Sequence, residues 1–364
     1  MRGEWTQFVG SAVAGEGDSA PRYGGRLDGY VRVDGEKAGI WDGLTINFQA
    51  EYVYGENINR VGSALLLPVN AALAFPKNDG SAFDASLNIV QRIGKLRIQA
   101  GKINLLDASS AIPIVGGGGK EGFQHLGLAS PPALIASPKV FGAIASMPIG
   151  RVRLNLGVWT PEDWSRRYQP GGLFRDGANA MAVLVLPLRI GGQRGFHNFS
   201  VFVTSRRVNG PDEYPDVRPP PGAGKLLPDK AGGTHLRYAV QQYIWQDPLD
   251  PKRGWGLFGH IGLSSGTPGI LDWSMTAGVA GSVPIRARPR DSFGIGYFRF
   301  SLADRVVAGF APVLPLEDES GVEVYYTAQV GKRIRATLAG QVLNPLIASA
   351  AEVVNLSFRV KADF

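Results

Sequence analysis

Glu352-Val353-Val354-Asn355-Leu356-Ser357-Phe358-Arg359-Val360-Lys361-Ala362-Asp363-Phe364 closes the chain. Val354, Leu356, Phe358, Val360, Ala362 and Phe364 are apolar, and Asn355, Ser357, Arg359, Lys361 and Asp363 between them are polar. Successive side chains of a strand point to opposite faces, so this stretch predicts a strand with one apolar and one polar face. It runs to the final residue, and that residue is aromatic. Terminal residues of soluble domains usually fray. A membrane β-barrel has a use for such a strand, because its closing strand pairs with the first and an aromatic belongs in the girdle at the bilayer edge. The last strand of a soluble β-sandwich is the competing reading, and the rest of the chain decides between them.

Working outward, the same alternation recurs. Leu44-Thr45-Ile46-Asn47-Phe48-Gln49-Ala50-Glu51-Tyr52 shows it most clearly, and Leu96–Ala100, Val152–Leu156 and Arg333–Leu338 repeat it. Collected, these segments predict sixteen strands: 4–13, 24–34, 43–54, 82–92, 95–104, 139–148, 151–160, 178–189, 196–206, 234–245, 254–264, 272–283, 291–301, 321–330, 332–342 and 352–364. An even count brings both chain ends to one side, as a closed barrel needs. The connections alternate between short and long. Turns at Gly94, Gly150, Gly191–Gly195 and Gly331 are very short, and Ile40–Asp42, Asp247–Arg253 and Pro284–Arg290 are modest. Between them fall long connections at 55–81, 105–138, 161–177, 207–233 and 302–320, with shorter ones at 14–23, 265–271 and 343–351. That parity is the pattern of transmembrane barrels. The fold expectation is therefore all-β: one porin-like transmembrane antiparallel β-barrel of about sixteen strands, a single domain over 1–364.

Composition agrees. Hydrophobic content is 44%, charged residues make up 19%, and there are 49 glycines, 25 prolines and no cysteine. Absence of cysteine removes disulfide frameworks and thiolate chemistry. No apolar run approaches the ~18–20 residues of a membrane helix. The net charge of +7 is spread singly along alternating segments, with no basic run or recognition helix, so nucleic acid is not the expected partner. Met1-Arg2-Gly3-Glu4-Trp5 is not followed by the apolar segment of an export signal. An exported barrel needs one, so we expect a processed or truncated form whose true N-terminus lies upstream. Trp5, Trp41, Tyr52, Tyr54, Trp159, Trp164, Tyr243, Trp245, Trp255, Trp273, Tyr297 and Phe364 fall near strand ends, where two interfacial girdles are expected.

One run is more specific. Gln241-Gln242-Tyr243-Ile244-Trp245 is followed by Arg253-Gly254-Trp255-Gly256-Leu257-Phe258-Gly259 and Asp272-Trp273. Then come Asp291-Ser292-Phe293-Gly294-Ile295-Gly296-Tyr297, Gly321-Val322-Glu323-Val324-Tyr325-Tyr326, and Gln341-Val342 before Asn344-Pro345. This resembles the carbohydrate-selective porin family (OprB type) of Gram-negative outer membranes, most fully over 234–364 and more loosely from about residue 24. The resemblance implies an outer-membrane, sixteen-stranded barrel that lets sugars diffuse into the periplasm. The family's N-terminal Trp-Gly-Gly-rich segment is missing from this chain. The third loop is also more Gly-rich than the family pattern, so the eyelet shape does not carry over. General porins are commonly trimers and the resemblance leans toward a monomer; both states stay open. Carbohydrate solutes, outer-membrane lipid and, through Phe364, the outer-membrane assembly machinery are the expected partners.

Catalytic constellations are scarce. His125, His197, His235 and His260 show no metal-ligand spacing. His197 and Ser200, three apart on one strand, face opposite ways, so a barrel hydrolase has little to work with. Gly116-Gly117-Gly118-Gly119-Lys120 is followed by Glu121 and fails as a phosphate loop. No enzyme, cofactor or metal is implied. The lumen is the candidate site. With apolar residues facing lipid, the inward charges are Arg26, Asp28, Arg32, Glu51, Asp84, Arg92, Lys95, Arg97, Arg151, Arg153, Arg237, Glu323, Arg333, Arg335, Arg359, Lys361 and Asp363. Twelve are basic and five acidic, which predicts an anion-preferring pore. The expected solute-binding set is Arg237, Glu323, Arg359, Glu51, Gln341, Arg97 and Asp107, with Arg237 and Glu323 forming the narrow zone. The loop 105–138 is expected to fold inward, lining the pore with Asp107 and Lys120. The alternatives are a general anion-preferring porin, a barrel enzyme, or a closed surface barrel.

Overall fold

The computed structural model describes residues 1–15, 19–56, 59, 65–76, 80–131, 137–206, 232–266 and 270–364. Most of the expected connection 207–233, and parts of 14–23, 55–81, 105–138 and 265–271, lie outside them.

The strands are β1 (Arg2–Ala14), β2 (Arg22–Asp34), β3 (Leu44–Gly55), β4 (Ser81–Ile93), β5 (Leu96–Asn104), β6 (Lys139–Ile149), β7 (Val152–Trp159) and β8 (Asn179–Ile190). They continue as β9 (Gln193–Thr204), β10 (Gly233–Gln246), β11 (Gly254–Gly266), β12 (Leu271–Ser282), β13 (Ser292–Leu302), β14 (Glu319–Val330), β15 (Ile334–Asn344) and β16 (Val353–Asp363). Each observed end falls within three residues of its expected place. Every strand pairs with its sequence neighbour and the sheet closes. In the seam, β1 runs antiparallel to β16 from Glu4 opposite Asp363 to Ala14 opposite Val354. Gly3 N–H donates to Phe364 O (2.7 Å) and Phe364 N–H to Gly3 O (3.0 Å), so pairing continues to the last residue.

The two faces follow the alternation. On β16, Asn355, Ser357, Arg359 and Lys361 are buried inside while Leu356, Phe358 and Phe364 are exposed outside. Leu87, Ile89, Leu263 and Ile295 lie exposed on other strands. Such an apolar outer band belongs in hydrocarbon, where a closed barrel satisfies every backbone group.

The interior departs from a simple polar lumen. Among the described residues, four short helices sit in the long connections: α1 (Ala71–Ala74), α2 (Leu105–Ser110), α3 (Leu126–Ala129) and α4 (Asp304–Phe310). The helices α1 and α3 are wholly buried, and the loops carrying them fold into the barrel. Their Leu73, Phe123 and Leu128 belong to one apolar core with the wall residues Phe258, Phe298, Phe300 and Leu343. Phe123 packs edge-on against Tyr325, with ring centroids 4.9 Å apart. The wall makes room with glycine. A Cβ on Gly294 would lie 2.4 Å from Tyr325 and one on Gly296 would lie 2.9 Å from Leu128.

This corrects part of the girdle expectation. Trp5, Trp41, Tyr52, Tyr297 and Phe364 are exposed outside, but Trp159, Trp164 and Tyr243 are buried. Tyr243 shares the inward parity of Gln241, and Trp159 packs with Ile103, Val140 and Phe202. A lumen filled by loops accepts aromatic side chains that an empty one would not.

The wall also bends. β4 extends back to Ser81, but its pairing with β5 stops at Asn88 opposite Gly101. Gly101 has φ +121°, and a Cβ there would meet Leu87 O at 2.6 Å. Beyond this glycine the parity of β5 flips, so Lys102 turns toward Asp84 on β4.

Candidate functional site

Register places four carboxylates side by side on the inner wall. Glu4 on β1 lies opposite Asp28 on β2, Asp28 opposite Glu51 on β3, and Glu51 opposite Asp84 on β4. All four are buried. Like charges directly opposite destabilise a sheet, so the row requires cations. Arg26 grips Asp28 bidentately (2.8 and 2.6 Å) and also reaches Glu51. Lys139 bridges Glu51 and Asp84 (2.8 Å to the latter), and Lys102 lies 2.5 Å from Asp84. Lys120, from the third loop, reaches Glu4 (2.9 Å), Asp28 (3.6 Å) and Asp107 (3.3 Å). The wall and the inserted loop thus neutralise one another. Lys120 is buried, yet Asp107 and Asp28 beside it hold its proton more firmly than usual.

The adjoining wall, β14 to β16 across the seam from β1, clasps the loops by their backbones. Glu323 on β14 accepts from Gln124 N–H (2.7 Å) and His125 N–H (2.8 Å). Four residues earlier on the same strand, Glu319 accepts from Leu67 N–H (3.1 Å) and Leu66 N–H. Gln341 on β15 donates to Val69 O (2.9 Å) in the loop that carries α1, and to Glu323 (3.2 Å) beside it on the wall. Arg359 on β16 donates to Gly119 O (2.8 Å) and Gly122 O (2.9 Å). The glycine run therefore offers carbonyls to an arginine. The loops also bond each other, Ala71 N–H to Gln124 O (2.8 Å) and Leu126 N–H to Pro68 O (3.0 Å).

The expected set thus divides. Glu323, Gln341 and Arg359 hold the inserted loops in place, whereas Glu51 is paired within the wall to Arg26 and Lys139. Arg237 rests over the Phe202 ring at 5.6 Å, and Glu323 is occupied elsewhere, so the two are not brought together. Arg97 and Asp107 line an open cavity of about 1110 Å³ below the third loop, at the short-turn end. Ser200 is buried inside while His197, on the alternate face of β9, bonds Tyr238 Oη (2.6 Å).

Amides stand among the charged groups of this cavity's wall. Asn47 donates to Asn88 Oδ1 (3.1 Å), Gln99 to the same oxygen (3.0 Å), and Arg97 to Gln99 Oε1 (2.9 Å). Ser146 donates to Asn155 Oδ1 (2.7 Å) across β6 and β7. Such groups can trade partners with sugar hydroxyls. In the roof, Glu121 sits beside Lys361 (2.5 Å) and Arg335; burial would raise its carboxyl, but these cations hold it down to about 2.

Sequence reasoning missed Glu4, Lys102 and Lys139. Glu4 was legible, since it shares the parity of Thr6 and Phe8 on β1. Lys102 had the parity of a lipid-facing residue, and that costly placement was itself a sign that the strand changes facing near Gly101. The contacts of Lys139 depend on where β5 and β6 bend, which no local pattern records.

Residues 189–337 match the family profile described as carbohydrate-selective porin, OprB family. No curated protein sequence matches the chain. Among solved structures, Pseudomonas putida OprB at high pH superposes with a TM-score of 0.82 at 17% identity, covering 100% of this chain and 93% of that chain. Its low-pH structure gives 0.57 at 13% identity, covering 100% and 91%. Pseudomonas aeruginosa OccK2 (OpdF) gives 0.53 at 10% identity, covering 100% and 96%. At these identities the likeness is one of fold: a closed, sixteen-strand porin barrel.

Proposed function

We propose that this barrel, which carries the carbohydrate-selective porin profile over residues 189–337, lets sugars and other small hydrophilic solutes diffuse passively across the bacterial outer membrane. Its lipid-facing outer band and its parity of short turns and long loops belong to that membrane. The observation that carries the reading is the polar cavity of about 1110 Å³, lined by charged and amide side chains, beneath loops folded into a closed barrel. Selectivity in such a pore comes from constriction and from fixed donors and acceptors. In this reading Arg97 and Asp107 meet the solute, and Arg237 lines the wall with its Nε unpartnered. Glu323, Gln341 and Arg359 are positioning residues that fix the constriction, and Glu51 acts through Arg26, which donates to Ala72 O of the first inserted loop. The barrel is proposed to act without a cofactor, as a monomer or trimer, and to be read during insertion by the outer-membrane assembly machinery through its last strand and Phe364.

Single-channel recording in a planar bilayer tests this. Conductance steps that sugars reduce are the expected result, and a silent bilayer would sink the proposal. Conductance without any sugar effect would select a second reading, a general anion-preferring porin. Arg92, Lys95, Arg97 and Arg153 favour that second reading, since among the described residues none makes an ion pair.

A further inference from the structure

The inward charges fall into two populations. Around the loops, Arg26, Lys102, Lys120, Lys139, Arg335 and Lys361 each touch a carboxylate. At the short-turn end the balance is different. Arg92 on β4 lies directly opposite Arg97 on β5, both lining the cavity, and Arg153 and Lys95 line it too. No carboxylate pairs with any of these four among the described residues. The carboxylates that do line the cavity are already held: Glu4 by Lys120 and Lys361, Asp107 by Lys120, Glu121 by Lys361 and Arg335. An in-register pair of arginines is an unfavourable cross-strand arrangement. A fold that gains nothing from it retains an uncompensated donor surface facing open space.

Register extends the same row. Arg97 lies opposite Ser146 on β6, and Ser146 opposite Asn155 on β7, with Arg153 two residues away on the same face. Two guanidinium forks therefore stand next to a hydroxyl and an amide. The forks match a carboxylate bidentately, whereas the neutral groups match hydroxyls. Each of the three arginines is attached to a strand of the wall, and the cavity exceeds the ~300–1,000 Å³ of ordinary small-molecule sites, so a hydrated solute has room.

Building on the porin reading, we infer that the Arg92–Arg97–Arg153 patch is a subsite for acidic sugars, the carboxylate taken by the arginines and the ring hydroxyls by Ser146, Asn155 and Gln99. The barrel then favours sugar acids over neutral sugars of the same size. Binding occurs on the far side of the loop constriction from the long-loop end.

The test compares galactose with galacturonate, which differ only in the carboxylate, as blockers of single-channel current at low salt. Galacturonate is expected to half-block at a concentration roughly tenfold lower, the low end for one charge-assisted contact. The advantage should shrink in high salt, as the Debye length falls to ~3 Å at 1 M. In Arg92→Gln/Arg97→Gln the galacturonate-to-galactose ratio should approach one, and Arg97→Lys, which keeps the charge without the fork, should fall between. Equal block by the two sugars in the parent overturns the inference without touching the porin reading, as does a preference that survives the double substitution. Acetate blocking as well as galacturonate also overturns it, since the patch would then hold counter-ions and not sugars. Absence of conductance, or of any effect of galactose, counts against the porin reading instead.

Discussion

Replacing Glu323 with alanine is the sharpest probe of how the loops are held. Its carboxylate accepts from two consecutive backbone amides of the third loop, Gln124 and His125, at 2.7 and 2.8 Å. In the alanine variant both N–H groups stay buried against the wall without an acceptor. Each stranded donor costs ~1–3 kcal/mol, so loop docking should weaken by about 2–6 kcal/mol. That is roughly a 30- to 20,000-fold fall in the docking equilibrium. The wall itself should stand, because β14 keeps its pairing with β13 and β15. Hydrogen exchange reads this directly. Leu126 N–H and Ala71 N–H bond across the two loops and should lose protection by that factor, while β14 amides keep theirs. Glu323→Gln should fall between, since its amide retains one accepting oxygen. Unchanged protection at Leu126 and Ala71 would refute the positioning role. Loss of sugar block with that protection intact would place Glu323 in contact with the solute instead.

Other perturbations follow from the same geometry. Arginine at Leu356, which is exposed on the outer face, should block insertion, since a midplane arginine costs ~2–4 kcal/mol, whereas Asn47→Arg opens into the cavity and should assemble normally. Ser357 faces inward but at 4% exposure lacks that room, so Ser357→Arg should assemble poorly; comparable assembly of Leu356→Arg and Asn47→Arg would overturn the facing. Lys120→Met takes the cation from Asp107 while Lys361 and Arg26 still hold Glu4 and Asp28; the cost should stay below the ~3–5 kcal/mol of a fully broken buried pair, and the barrel's heat-dependent gel shift should move to lower temperature. Acid should loosen the third loop through His125, whose ring stacks on Phe298 and whose burial pushes it from 6.5 to about 3. The docked ring stays neutral while an undocked one takes a proton. Docking is therefore strongest above pH 6.5 and weakens toward pH 3 by up to ~1.4 kcal/mol per unit. Protection of Leu126 N–H should fall between pH 7 and 5, and a profile no flatter in His125→Gln would remove His125 as the cause.

Period-two alternation is a local property, because a strand sends neighbouring side chains to opposite faces wherever it lies. The sequence alone therefore determined the sixteen strands, their facing and the parity of their connections. It also implied closure, since the amphipathic β16 needed a partner and β1 was the one left. The glycine- and proline-rich third loop, with Lys120 inside it, was enough to expect an inward fold. The partners of the luminal charges were not legible. Glu4, Asp28, Glu51 and Asp84 come from four strands and become a row only through register. Lys120 meets two of them, Glu4 and Asp28, together with Asp107, only after the chain has folded through the barrel, and Lys102 turns inward only beyond the positive φ of Gly101. A count of twelve inward cations against five acids could not separate those already paired from Arg92, Lys95, Arg97 and Arg153. Charge is carried by residue type and can be counted along a chain. Whether it is neutralised depends on distances of a few ångströms between segments hundreds of residues apart, which only the closed barrel sets.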